Sequence, residues 1–354
     1  MIKLINEYAK NASVVRARAI FGKRLKAENY SDLVTKKTVN EAAEYLKKNT
    51  HFGETLSNVD TAGIHRGHLE SMLRRAYFDR YVKLCQFENI GREPFYNYLL
   101  IRFEIDELLK AILYLNSRHD DDYIESMNTY FIKQARFDMI ALARSRSFED
   151  MLKVIRHTPY YDTLKKIRPE EDGTVNYTKC EVKLETYYTK WLLTTVKKNF
   201  SGRSEEALKK LINVQTDLTN IMNVYRMKKF FGADPETIQE YILPFKGRIS
   251  KYRQSELFEA STPEDFIRLL SDTIYGKQMG NLDENMDSEQ FERDLIRLRC
   301  NLAKRSLMFS ENAAVSLYSL MYLSEVEVNN VIYIIEGIRY KKSPKYIENL
   351  IVVH

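Results

Sequence analysis

Apolar residues recur along this chain three and four positions apart, the spacing of one helix face, and the clearest case opens at Thr262. Its hydroxyl is placed to cap a helix, and Pro263 suits the first helical position, where its missing N–H would have no partner anyway. Glu264 and Asp265 set negative charge at the positive end of the helix dipole. Phe266, Leu269 and Leu270 then make the apolar face. Two further stretches repeat the arrangement. Thr38 is followed by Glu41, which completes a capping box, with Ala42, Tyr45 and Leu46 on the face. Ser147 is followed by Asp150, with Met151, Val154 and Ile155 on the face. The three caps stand 109 and 115 residues apart.

A second landmark has the same period. Asp217-Leu-Thr-Asn220-Ile221 is matched by Glu327-Val-Asn-Asn330-Val331 and, more loosely, by Glu104-Ile-Asp-Glu107-Leu108. The closing apolar residues are 113 and 110 apart. Two independent landmarks with one period predict three copies of one helical unit, longer than any short solenoid repeat. The copies fall at 1–118, 119–232 and 233–354, with the polar run Arg118 to Asp122 as the first boundary. In each, the pattern predicts a short helix, the capped helix, then long helices interrupted at Arg92–Pro94, Ser201–Ser204 and Ser310–Asn312. Helices are expected over 2–21, 65–87, 95–115, through Tyr187 to Val196, and over 204–231 and 311–340.

Composition narrows the class to all-α. Only 12 Gly and 7 Pro occur in 354 residues, well under the roughly 12% that average usage gives, and no Asn-Gly hairpin pattern appears. The 55 Lys+Arg and 49 Asp+Glu are interleaved, so the net +6 predicts solvated helix faces rather than a nucleic-acid surface. Cys85, Cys180 and Cys300 are too few and too scattered for a disulfide framework. No run reaches the ~20 apolar residues of a bilayer span, and Ala313 to Leu323 reads as a buried helix. Membrane contact is therefore expected only through a partner.

Candidate chemistry is sparse. His65 and His68 offer two imidazoles on one helix, but no third ligand stands at a matching spacing. His119 with Asp120, Asp121 and Asp122 has cation-binding oxygens, yet reads as an acidic inter-domain loop. Asp172-Gly173-Thr174 lacks the strand a phosphoryl-transfer nucleophile needs. Neither a phosphate loop nor a Gly-x-Ser-x-Gly elbow is present. The 24 tyrosines follow helical spacing with Leu and Ile, as packing residues do. The sequence thus predicts no catalytic residue, no cofactor and no metal.

The signature Asp217-Leu-Thr-Asn220-Ile-Met-Asn-Val-Tyr-Arg226-Met-Lys228 resembles the C-subunit family of V-type/A-type ATPases, whose eukaryotic members are the d subunits. Tyr8, Arg16-Ala-Arg18, Asn29-Tyr30 and Ala42-x-x-Tyr45-Leu46 resemble that family's start. Glu107 departs from the pattern's Asn, and Glu327 from its Asp. The resemblance implies an all-α, funnel-like protein of three similar helical domains with pseudo-threefold symmetry. It implies a non-catalytic central-stalk component on the cytoplasmic side of a membrane. Such a component is a socket between the central-shaft subunits and the membrane rotor ring of a rotary ATPase. Thr38, Glu41, Ser147, Asp150, Thr262, Asp265, Asp217, Asn220, Glu327 and Asn330 are then helix caps and helix-contact residues. The alternative is a helical-repeat scaffold that binds protein or RNA.

Overall fold

In the computed structural model the described residues are 2–87, 93–117, 132, 134–244, 247–280, 282–283 and 286–354, with the side chains of 2–11 and 87 outside the description. All regular structure among them is helical. The chain packs as two compact bodies. One comprises Met1–Gly91, Ser201–Leu211 and Tyr275–His354, the other Arg92–Phe200 and Ile212–Ile274.

The first body holds α1 (Ile2–Gly22), α2 (Ala27–Val34), α3 (Val39–Asn49), α4 (Gly53–Leu56) and α5 (Arg66–Phe87) from the start of the chain. Its centre is a helix from the far end of the sequence, Ala313–Arg339, buried on nearly every face. A helix apolar all round has no solvent side, so α1, α5 and Ser288–Phe309 pack around it. Ile335 and Val331 of that helix share one core with Leu33, Leu46 and Phe52. The buried helix expected from Ala313 onward is therefore the axis of this body.

The second body opens with a 3-10 turn, Pro94–Asn97, and α6 (Tyr98–Ser117). It continues with α7 (Met139–Ala143), α8 (Phe148–Val154), α9 (Pro159–Leu164) and α10 (Tyr177–Asn199). Then come α11 (Gly202–Phe231), which starts in the first body, α12 (Pro235–Glu240), α13 (Lys251–Glu259) and α14 (Pro263–Ser271). α10 lies along α6, and an edge-on contact between Phe95 and Phe200 at 5.1 Å joins the two helix breaks. The remaining helices are α15 (Ile274–Met279), whose first residue ends the second body, and, in the first body, α16 (Ser288–Phe309), α17 (Ala313–Arg339) and α18 (Pro344–Glu348).

Local chemistry explains the helix starts. The hydroxyls of Thr38, Ser147 and Thr262 accept the N–H groups of Glu41, Asp150 and Asp265, three residues on in each copy. Glu41 differs from the expected capping box, because its carboxylate takes the Lys37 N–H, one residue before the cap. In the second copy α8 stops at Val154, and Ile155 is fully buried just beyond it rather than on the helix. Thr262→Ala is expected to cost about 1 kcal/mol, because the Asp265 N–H loses its acceptor. Urea titration measures this, and Thr262→Asp should recover most of the loss.

Candidate functional site

A carboxylate taken out of water costs several kcal/mol unless its oxygens are hydrogen-bonded. The three acids of the second landmark all face that demand, with Glu104, Asp217 and Glu327 only 0%, 2% and 2% exposed. They lie within α6, α11 and α17, and each solves the problem the same way, by accepting a backbone N–H. Glu104 Oε1 takes the Arg136 N–H at 2.6 Å, Asp217 Oδ2 takes the Arg248 N–H at 2.6 Å, and Glu327 Oε1 takes the Leu25 N–H at 2.6 Å. Each bonded N–H lies one or two residues ahead of a short helix's cap: Lys26 before α2, Asp138 before α7 and Ser250 before α13. Each acid thus anchors the entry of a short helix, α7 for Glu104 and α13 for Asp217. For Glu327, near the end of the chain, that helix is α2 at its start.

Around these anchors the copies differ. Glu104 Oε2 also accepts from Arg136 Nε (2.8 Å) and Nη2 (2.6 Å), and from the Tyr160 hydroxyl (2.6 Å). At Glu327, Oε2 meets His51 Nε2 at 2.9 Å, while Arg80 donates to His51 Nδ1, also at 2.9 Å. A guanidinium has no acceptor, so Nδ1 carries the lone pair and the imidazole proton sits on Nε2, donated to Glu327. Burial alone would raise the Glu327 carboxyl. The hydrogen bond and electrostatic attraction of His51, with the Leu25 N–H and the Arg80 charge, outweigh it and hold the group below its ordinary 4.5.

That depression fixes a pH dependence. A carboxyl that titrates lower in the folded chain than in the unfolded chain contributes stability that is complete above about pH 5. The contribution drains away as pH falls through 4.5 toward the folded value. Glu327→Gln cannot ionise, so its deficit against the unmodified protein is expected to shrink between about pH 6 and about pH 3. Unfolding followed by circular dichroism at stepped pH reads the difference; a constant gap would contradict the assignment.

The asparagines of the landmark form a second recurring device. The Asn220 amide donates to the Leu243 carbonyl (3.0 Å) and its Oδ1 accepts the Leu243 N–H (2.7 Å). Asn330 holds Val352 in the same two-bond pincer, at 2.8 and 3.0 Å. Glu107 is buried at the first copy's position, and residue 130, where the matching partner would fall, lies outside the described residues. Two cations noted with the family signature end helices. Lys228 Nζ donates to the Phe258 and Ala260 carbonyls at the close of α13, and burial lowers its pKa. Arg18 donates to the Leu307 and Ser310 carbonyls at the close of α16. Tyr8 lies among the undescribed side chains.

A third landmark escapes the pattern reading. Arg24-Leu25-Lys26, Arg136-Phe137-Asp138 and Arg248-Ile249-Ser250 are spaced 112 and 112 residues apart, and each holds the N–H that an acid grips. The recurring Arg-apolar pair was the available signal.

The candidates for chemistry resolve differently. His65 and His68 are exposed, and among the described residues no three His, Cys, Asp or Glu side chains could hold a metal ion. The His119 to Asp122 cluster, with the first copy boundary, lies outside them. Asp172 closes a turn by accepting from the Thr174 N–H and hydroxyl. Burial pushes the Cys180 and Cys300 thiols up to about 12, which leaves them inert at neutral pH. The arrangement anchors helices.

A family model described as ATP synthase (C/AC39) subunit matches residues 13–350. A protein of Methanococcoides burtonii, named as the C subunit of an A-type ATP synthase, is 25% identical over 236 residues, covering 65% of this chain and 64% of that protein. Its namesake from Thermococcus onnurineus is 24% identical, covering 65% of this chain and 59% of its own length. In both, less than two thirds of the relative is spanned. The protein of the same name from Pyrococcus horikoshii is 22% identical over 343 residues, covering 95% of this chain and 88% of its own length.

Proposed function

The chain belongs to the ATP synthase (C/AC39) subunit family, and from that premise we propose that it is a non-catalytic central-stalk component of a rotary V/A-type ATPase, coupling the central shaft to the membrane rotor ring. Three similar helical units serve this role as a stiff adaptor. Torque passed through a compliant body is stored there as strain, so an adaptor must resist local shear where one unit meets the next.

The observation that supports this reading is the recurring acid anchor. Glu104, Asp217 and Glu327 each tie a long helix to the entry of a short one through a backbone N–H, a bond that fixes position whatever side chain stands there. Such charge-assisted bonds in a dry interior are stronger than neutral ones. No helix among the described residues is long and apolar enough to cross a membrane, which fits a peripheral position.

Co-purification tests the proposal. The tagged chain, isolated from its native membranes under mild detergent, is expected to bring down shaft and ring components of a rotary ATPase. Isolation without them would refute the role. Affinity for single-stranded RNA that falls steeply with salt would favour the scaffold reading instead.

A further inference from the structure

One stripe of α10 carries a composition that the anchors do not explain. Tyr187, Lys190, Trp191, Thr194 and Lys198 fall at helical spacing and, with Pro94 opposite, line an open groove of about 520 Å³ within the second body. Lys190, Thr194 and Lys198 are exposed, and Trp191 is half-buried. Among the described residues neither lysine is ion-paired, and no carboxylate lines the groove. The floor is fixed: Tyr187 stands edge-on against Tyr160 at 5.5 Å, and the Tyr160 hydroxyl is committed to Glu104.

Spacing identifies the class of occupant. A nucleotide site converges its cations on one cluster of phosphates. Here the two lysines are eight residues apart on a straight helix, about 12 Å at 1.5 Å per residue, with the indole between them. Carboxylates two turns apart on a partner helix repeat that distance, and apolar side chains between them would meet Trp191 and Tyr187. Two separated positive points around an aromatic floor complement an acidic helix better than a compact anion.

We propose that this groove docks an acidic amphipathic helix of a partner protein, apolar residues on Trp191 and Tyr187, carboxylates on Lys190 and Lys198. The choice of a protein partner rests on the adaptor role proposed above.

Trp191 is the only tryptophan in the sequence, so its emission reports directly on the groove. The probe is a synthetic alanine-based helical peptide of about 18 residues, long enough for marginal helicity, with two Glu eight positions apart and Leu between them. It is expected to give a saturable blue shift of Trp191 emission that weakens as salt is raised. In the Lys190→Glu and Lys198→Glu variants, both at exposed positions, the apparent Kd should rise at least tenfold with the helical circular dichroism unchanged. Three results would overturn the proposal: no saturable shift, equal binding of a peptide with Lys in place of Glu, or a saturable shift with ATP but none with the peptide. A chain that co-purifies with a rotary ATPase yet ignores the peptide refutes the groove alone; one that binds the peptide but never accompanies the ATPase refutes the adaptor role instead.

Discussion

Glu104→Ala is expected to remove about 4 kcal/mol of stability from the second body, because cutting one partner from a buried ion pair strands the other. The carboxylate satisfies four donors: the Arg136 N–H, the Arg136 Nε and Nη2, and the Tyr160 hydroxyl. Alanine removes that acceptor from all four in a site that is 0% exposed, and only Arg136 Nη2 keeps a second one, the Tyr160 hydroxyl oxygen at 2.5 Å. Arg136 is 37% exposed at its side chain and can turn part of its guanidinium to water, which keeps the loss from growing further. The Tyr160 hydroxyl and the Arg136 N–H have no such escape. Glu104→Gln keeps the shape and two acceptor lone pairs, so about half the loss is expected. Trp191 lies in the same body, and its fluorescence during urea unfolding isolates this transition from that of the first body. A loss under about 1 kcal/mol, the level of an ordinary neutral hydrogen bond, would mean that Glu104 is no anchor.

The acids were legible in the sequence, but what they hold was not. Glu104, Asp217 and Glu327 stand out because a carboxylate recurring among Leu, Ile and Val at one period marks a buried, repeated need. Their shared partner is a backbone N–H, which every residue but proline offers, so no residue type announces it. The same holds for the pincers of Asn220 and Asn330, whose partners Leu243 and Val352 could be any residue with an N–H and a carbonyl. Glu327 adds a second obstacle, since Leu25 lies 302 residues away and periodicity is blind to such a pairing. That bond joins the first and last thirds of the chain in one body.

Helix faces were legible to within one residue. On α14, Phe266 and Leu270 are fully buried as the spacing requires. Ile267 is buried too, while the expected Leu269 is only half-covered, because the neighbours decide which edge of an apolar stripe they cover. The groove on α10 illustrates the same limit. Tyr187 and Trp191 sit at packing spacing with Lys190 and Lys198, and only the folded body shows that this stripe stays open while Leu184, Tyr188 and Leu192 are buried.

Gly247→Ala is expected to cost about 3 kcal/mol, combining overpacking with the loss of a charge-assisted hydrogen bond. The three anchors use acids of two lengths, and the backbone compensates. Just before the gripped N–H, both Glu stations have residues with side chains, Ala135 for Glu104 and Arg24 for Glu327. Asp217 is one methylene shorter and reaches the Arg248 N–H only because the chain passes directly beneath it at Gly247. A β-carbon there would fall inside the Asp217 carboxylate, which is pinned at 2% exposure and has no room to retreat. The remedy should come from the other stations. Asp217→Glu in the Gly247→Ala background recreates the Glu104, Ala135 and Arg136 combination, so the double variant should be more stable than the two single losses predict, by at least about 1 kcal/mol of coupling. Denaturation of the four members of this cycle, followed by Trp191 emission, measures the coupling. Additivity within about 0.5 kcal/mol would show that acid length and backbone approach are unrelated, and that the glycine stands at position 247 for another reason.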